Sequence, residues 1–192
     1  MRLKTSLLPI LLLSISTLFI QGCSKEKEQQ EVQTTKTTQH TNEYTLQTLH
    51  NTQLILEKKE DGFILKNKPH AILLIDVFAT WCPPCQASAS HLSSLQKKYK
   101  DAIKIIGVSI EDGIPVENLQ TFQKQHHANY TLVHTSDTRK LINDIAQKLH
   151  IGNNFGIPLL AIYKDGKLLH YYQGMIEEEF IESDIKQALG KQ

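Results

Sequence analysis

The sequence predicts an α/β fold in which helices pack around a central sheet, and three observations support this prediction. Two nearly continuous apolar runs, at residues 71–78 and 103–110, are typical of strands that are covered on both faces. Helical periodicity over residues 83–99 separates them, which indicates parallel strands joined by a right-handed crossover. Residues 159–163 and 167–172 alternate about a turn and predict a hairpin.

Shorter segments complete the predicted fold. The expected additional strands are residues 44–49, 53–57, 62–66 and 130–134, and the expected additional helices are residues 115–127, 138–149 and 176–189. Strands and helices in this order predict a sandwich of helices on a mixed central sheet.

Charge and cysteine content narrow the function. Among 192 residues there are 21 Lys and Arg against 20 Asp and Glu, so the formal net charge of +1 does not predict a nucleic-acid partner. The three cysteines, Cys23, Cys82 and Cys85, are too few for a disulfide framework. Each cysteine therefore needs its own explanation.

The amino terminus has the pattern of an export signal. Arg2 and Lys4 precede an apolar stretch at residues 7–20 that is too short to span a bilayer comfortably, although a membrane-spanning anchor is the alternative. Gly22-Cys23 resembles the end of a bacterial lipobox. This resemblance implies a signal peptide over residues 1–22 and a lipidated Cys23.

The segment after Cys23 is predicted to be a tether. Residues 24–43 are mostly Lys, Glu, Gln, Thr and Ser and contain one aliphatic residue, Val32, so they cannot build a core. The predicted organisation is therefore a lipidated cysteine and flexible tether over residues 23–43, followed by a folded domain over residues 44–192. The expected location is the periplasm, on a bacterial membrane.

The chemistry is predicted to lie in the Cys82-Pro83-Pro84-Cys85 motif, which follows a buried strand and opens a helix. A zinc site would need two further ligands, but there is no second cysteine pair and the histidines show no compact ligand spacing. Two prolines suit the first turn of a helix. We therefore predict a redox disulfide and neither a metal nor a cofactor.

The positions of the two cysteines predict their roles. Cys82 is expected at the helix amino terminus, exposed, where partial positive charge stabilises a thiolate. Cys85 is expected one turn further on and beneath it. Cys82 would attack a partner disulfide, and Cys85 would then attack Cys82 to release the reduced partner.

Two motifs resemble those of thioredoxins. The segment from Asp76 to Cys85 is similar to the thioredoxin active-site segment, and Gly156-Ile157-Pro158 is similar to the loop that carries the family's cis-proline. The resemblance implies a thioredoxin-like fold with Pro158 cis and facing the dithiol. The alternative is a trans proline on an edge strand.

The closer resemblance is to the membrane-tethered TlpA/ResA branch. It implies a hairpin extension at residues 44–66, a helical insertion at residues 111–150, protein thiols or disulfides as substrates, and a membrane dithiol donor of the DsbD/CcdA type. A periplasmic reductase, for example in cytochrome c maturation, is the leading prediction. The alternatives are a dithiol oxidase and a copper metallochaperone, whose cysteines are spaced one residue further apart.

Three acidic residues are candidates for proton transfer. Asp76 interrupts a buried strand, so burial should raise its pKa, and the thioredoxin resemblance implies that it accepts the proton of Cys85. TlpA/ResA relatives carry an acid after the second core strand, where Glu111 and Asp112 are both candidates. Trp81 and Ile157 are predicted to dock the substrate.

Overall fold

The computed structural model describes residues 42–190, which form eight strands and four α-helices. The strands are β1 (Glu43–Thr48), β2 (Gln53–Lys58), β3 (Phe63–Leu65), β4 (Ile72–Phe78), β5 (Ile103–Ser109), β6 (Thr131–His134), β7 (Leu159–Lys164) and β8 (Lys167–Gln173). The helices are α1 (Pro83–Tyr99), α2 (Val116–Gln125), α3 (Thr138–Lys148) and α4 (Glu178–Ala188). Every predicted strand and helix is therefore confirmed, with boundaries that shift by two residues or fewer.

All eight strands form one mixed sheet in the order β3-β2-β1-β6-β5-β4-β7-β8. Strand β4 is parallel to β5 and antiparallel to β7, and β5 is parallel to β6. The amino-terminal strands join this sheet because β1 pairs antiparallel with β6. The predicted central helical insertion therefore contains α2, α3 and a sheet strand, β6.

Strand β4 lies at the centre of the fold, and all seven of its residues are buried. Alternate side chains point to opposite faces of a strand. Leu74 and Phe78 belong to the cluster that contains α1 residues, whereas Ile75 and Val77 pack in the cluster that contains α3 residues. Asp76 therefore shares the α1 face, where Cys85 is also buried.

Helix α1 begins where the sequence predicts. Cys82 is the N-cap, and prolines fill the first two helical positions, where their missing N–H groups cost no intrahelical hydrogen bond. The buried side chains recur every three or four residues, which places one face of the helix on the sheet. They are Cys85, Ser88, Ala89, Leu92 and Leu95.

Some predictions fall on residues that the structure does not describe. The signal peptide, Cys23 and the tether up to residue 41 lie outside residues 42–190. Within residues 42–190, no helix is both long and apolar enough to cross a membrane.

Candidate active site

The two cysteines of the motif form a disulfide, with Cα atoms 5.3 Å apart. This pairing follows from the fold, because a separation of three residues places both side chains on one side of the first helical turn. The site is therefore in its oxidised state. Two-electron reduction would release two thiols at the start of α1.

Among the described residues, one backbone N–H donates a hydrogen bond to Cys82 Sγ. The Cys85 N–H donates to Cys82 Sγ at 3.3 Å, which is the usual bond between an N-cap side chain and the third helical residue. Pro83 and Pro84 have no N–H to donate. Among residues 42–190, Cys85 is thus the only backbone donor to this sulfur, so the helix start stabilises a Cys82 thiolate through one hydrogen bond and the helix dipole.

A loop before β7 faces the disulfide. The Ile157–Pro158 peptide bond is cis, as predicted, and the carbonyl oxygen of Ile157 lies 3.9 Å from Cys82 Sγ. The Gly174 N–H donates to the Pro158 carbonyl at 2.8 Å, which ties this loop to the end of β8. The loop therefore forms the wall of the site opposite α1.

The prediction that Cys82 is exposed is wrong for the oxidised site. Only 3% of Cys82 and 2% of Cys85 is accessible. The cause is that Cys82 is bonded to Cys85 on one side and faces Ile157 on the other. A partner can therefore reach Cys82 Sγ only by close approach to the rim of the site.

That rim carries exposed apolar surface. Trp81, directly before the disulfide, is 64% exposed, and Met175, one residue after Gly174, is also exposed. Ile157 is partly buried against the core. Exposed apolar side chains next to a reactive group are typical of sites that bind other proteins.

Asp76 is buried on the face of the sheet that carries Cys85. It is 2% exposed, Tyr130 donates a hydrogen bond of 2.7 Å to its Oδ2, and its Oδ1 has no hydrogen-bond partner among the described residues. Burial raises the pKa of Asp76 to about 7, against the lowering effect of the Tyr130 hydrogen bond. The predicted rise in pKa is confirmed, and this carboxyl is poised to exchange a proton near neutral pH.

The structure separates Glu111 from Asp112. Glu111 accepts hydrogen bonds from the Thr80 N–H at 2.7 Å, from Thr80 Oγ1 at 3.0 Å and from Ser109 Oγ at 2.9 Å. Asp112 is exposed and pairs with Arg139 on α3. Glu111 is therefore attached to the turn that leads into Cys82, whereas Asp112 is at the surface and contacts α3.

Sequence reasoning missed Tyr130 and Thr80. Tyr130 is 54 residues from Asp76, and no local pattern marks it as a partner. Thr80 supplies two of the donors to Glu111, and its carbonyl accepts a hydrogen bond from Gln86 at 2.8 Å. The only sequence signal for Tyr130 is a buried acid in need of a donor, and this does not identify the residue that supplies it.

Within residues 42–190, no group of three or more His, Cys, Asp or Glu side chains is arranged to hold a metal ion. The two cysteine sulfurs are bonded to each other in this structure. The arrangement is suited to thiol–disulfide exchange, because it combines a reducible disulfide, a helix start and a buried carboxyl on the same face of the sheet.

The fold and site together define the class of thioredoxin-like thiol–disulfide oxidoreductases. Residues 25–189 match the Redoxin family, and the chain belongs to this family. A solved structure from Chlorobium tepidum TLS, described as a thiol:disulfide interchange protein of the thioredoxin family, has a TM-score of 0.61 and 18% identity. The alignment covers 78% of this chain and 94% of that chain. This likeness shows the fold.

Two curated relatives share parts of the sequence. Thioredoxin Y, chloroplastic, of Oryza sativa subsp. japonica is 26% identical over 143 residues, which is 74% of this chain and 60% of that protein. Thiol:disulfide interchange protein DsbE of Vibrio cholerae is 42% identical over 55 residues, which is 29% of this chain and 27% of that protein. The chain thus spans less than two thirds of either relative.

Proposed function

We propose that this chain is an extracytoplasmic protein-disulfide reductase in which Cys82 attacks the substrate disulfide and Cys85 resolves the mixed disulfide. The observation that carries the proposal is the Cys82–Cys85 disulfide at the N-cap of α1, against the loop that contains cis-Pro158. Cys82 is at the end of the pair that faces this loop and receives the helix-start hydrogen bond. Cys85 is inside the first turn, on the side of Asp76.

The small number of hydrogen bonds to Cys82 favours the reducing direction. Strong oxidants owe their high potential to a stabilised reduced thiolate. Here the two prolines remove N–H groups that could donate to Cys82, and neither proline brings a charge. We therefore expect a reduction potential nearer to the value of about −270 mV for thioredoxin than to about −120 mV for the strong oxidant DsbA.

A redox titration tests this direction. Equilibration with glutathione or dithiothreitol buffers, followed by thiol counting, gives the potential of the Cys82–Cys85 pair. A value near that of DsbA would support the alternative of a dithiol oxidase. The copper metallochaperone alternative is tested on the reduced protein, which would bind Cu(I) through Cys82 and Cys85 if that alternative holds.

The proposed substrates are disulfides in exported proteins, for example the oxidised Cys-x-x-Cys-His motif of an apocytochrome c. Trp81 and Ile157 would dock the substrate chain, because they lie beside the buried sulfur that the substrate must reach. A membrane dithiol protein of the DsbD/CcdA type would supply the electrons, since an exported dithiol needs a source of reducing equivalents.

A peptide with an oxidised Cys-x-x-Cys-His motif tests the reaction. The reduced wild-type protein should release fully reduced peptide, whereas Cys85→Ser should stop at a mixed disulfide between Cys82 and the peptide. Cys82→Ser should form no adduct. The proposal fails if wild-type protein leaves the peptide oxidised, or if the adduct forms through Cys85.

The proposed location depends on the amino-terminal segment. A lipidated Cys23 would anchor the chain, and the residues between Cys23 and β1, which begins at Glu43, would link the anchor to the folded domain. Cys23→Ala should release the protein from the membrane fraction and leave peptide reduction unchanged. A variant that remains membrane-bound with its leader uncleaved would indicate a spanning anchor.

A further inference from the structure

The hydroxyl of Tyr130 is the one hydrogen-bond donor to Asp76 among the described residues. Tyr130 directly precedes β6 and is 3% exposed, and its side chain packs in the same cluster as Cys85. Its hydroxyl donates to Asp76 Oδ2 at 2.7 Å. Burial and the neighbouring Asp76 raise the pKa of Tyr130 well above its usual value, so this hydroxyl keeps its proton and remains a donor.

A glycine makes this contact sterically feasible. Gly107 on β5 pairs directly with Asp76 on β4. A Cβ atom at Gly107 would lie 2.9 Å from Tyr130 Cε2 and 2.7 Å from Leu132 Cδ2. Both contacts are shorter than real Cβ atoms show, so a side chain at position 107 would force Leu132 and the Tyr130 ring to shift.

The two oxygens of Asp76 consequently differ. Oδ2 is held by Tyr130, and Oδ1 is buried without a partner among the described residues. Among the described residues, Tyr130 is the titratable group whose side chain contacts the Asp76 carboxyl, and Cys85 on α1 packs on the same face of the sheet as Tyr130. The strands beside Asp76 contribute Gly107 and Leu160, which carry no charge.

We propose that Tyr130 is a positioning residue that orients the Asp76 carboxylate and keeps Oδ1 free to accept the proton of Cys85. This inference rests on the proposed function. In the resolution step Asp76 takes the Cys85 proton, and the Cys85 thiolate attacks Cys82 Sγ. The Cys82–Cys85 bond forms and the bond from Cys82 to the partner sulfur breaks. The partner leaves as a thiolate that later takes a proton, so it gains the two electrons that the dithiol loses.

Tyr130→Phe removes this hydrogen bond and keeps the ring. Because a hydrogen bond to the charged form favours that form, its loss should raise the pKa of Asp76 and leave less carboxylate at pH 7. The pH midpoint of mixed-disulfide resolution, measured by stopped flow with a disulfide peptide, should rise by about one unit or more. The rate of Cys82 attack should not change.

Tyr163→Phe is the matched control. Tyr163 on β7 is as buried as Tyr130, but its hydroxyl has no hydrogen-bond partner among the described residues and it belongs to the cluster on the other face of the sheet. Its variant should keep the wild-type midpoint. The inference is overturned if Tyr130→Phe has the same midpoint as Tyr163→Phe. Wild-type protein that does not reduce the peptide at all would instead contradict the proposed function.

A measurement on the wild-type protein covers the case in which Tyr130→Phe does not fold. In the oxidised protein neither cysteine titrates, so carbon-13 NMR can follow the Asp76 carboxyl near its pKa of about 7. The Cζ signal of Tyr130 should shift with the same midpoint, because its hydroxyl donates to that carboxyl. A Tyr130 signal that does not respond to the ionisation of Asp76 would overturn the inference.

Discussion

Two carboxyl groups lie near the disulfide in opposite environments. Asp76 is buried on the Cys85 face of the sheet and, among the described residues, has one donor and one oxygen without a partner, whereas Glu111 is partly exposed beside the turn that leads to Cys82 and accepts three hydrogen bonds. A carboxylate that accepts several hydrogen bonds holds the groups that donate them in place. One with few donors in a buried site changes protonation near neutral pH.

The difference indicates a division of labour. The side of the site at Asp76 is suited to move a proton when Cys85 becomes a thiolate. The side at Glu111 is suited to position Thr80 and the following Trp81-Cys82 segment, because Glu111 bonds to both the N–H and the hydroxyl of Thr80. Asp76 and Glu111 carry the same chemical group, so the environment of each carboxyl, and not its chemical identity, decides which acid takes part in catalysis.

The largest expected effect is on turnover, when the attack by Cys82 is separated from the resolution step of Cys85. Cys85→Ser should abolish turnover and leave a single attack by Cys82, because the resolving sulfur is lost. In this background Asp76→Asn should leave the rate of that attack unchanged, whereas Glu111→Gln should slow it a few-fold. Adduct formation measured by mass spectrometry decides this, and a slower attack with Asp76→Asn would break the comparison.

In the protein with both cysteines, Asp76→Asn should slow resolution at pH 7 on the order of 100-fold, which is typical of the loss of a general base. Wild-type resolution should slow as the pH falls below about 7, where Asp76 becomes protonated. The deficit of the variant should shrink as the pH rises further, because hydroxide can then take the Cys85 proton without Asp76. Stopped-flow traces from pH 5 to 9 provide the measurement, and an unchanged rate at pH 7 would remove Asp76 from the mechanism.

Stability provides a second contrast between the two acids. The pKa of Asp76 is about 7 in the folded protein against a model value of 3.8, so the folded state binds more protons than the unfolded state between these values. The free energy of unfolding should therefore fall as pH rises from about 4 to 7. Asp76→Asn should be more stable than wild type by about 2–4 kcal/mol at pH 8 and should lose this advantage at pH 4.

Urea unfolding of the oxidised protein at both pH values tests this expectation. Asp112→Asn is the control, because Asp112 is exposed and its ion pair with Arg139 lies at the surface. It should change the free energy of unfolding by less than about 1 kcal/mol at either pH. A destabilised Asp76→Asn at pH 8 would mean that Tyr130 and the sheet favour the charged form of Asp76.

The smallest expected effect belongs to Glu111. Glu111→Gln removes the charge and one acceptor, so one donor among Thr80 and Ser109 loses its partner, at a cost of about 1–2 kcal/mol. The pH midpoint of resolution should stay at the wild-type value. Glu117→Gln in the exposed first turn of α2 is the matched control and should be close to neutral. A shift of the midpoint in Glu111→Gln would make Glu111 a proton acceptor as well.

Local patterns predicted most of this fold. The buried runs, the Pro83-Pro84 helix start and the turn at Asp165-Gly166 each carry a strong local signal, and the structure has β4, α1 and the β7–β8 hairpin where they indicate. The joining of β1 to β6 was not predicted, because pairing between distant strands depends on the whole sheet.

The candidate site was predicted less completely. The disulfide and cis-Pro158 follow from the motifs, and burial of Asp76 follows from its apolar neighbours. The contacts of Tyr130 and Thr80 depend on residues far apart in sequence, and the space for Tyr130 depends on Gly107. The burial of Cys82 was missed because it depends on the contact with Ile157, 75 residues away in sequence, as well as on the bond to Cys85.

The division of roles between Cys82 and Cys85 is most directly tested by alkylation of the fully reduced protein. A limiting amount of iodoacetamide at pH 7, followed by peptide mass spectrometry, measures the rate at each sulfur separately. We expect Cys82 to react much faster, because it lies at the helix start, accepts a hydrogen bond from the Cys85 N–H and faces the rim of the site. Faster alkylation of Cys85 than of Cys82 would contradict this assignment.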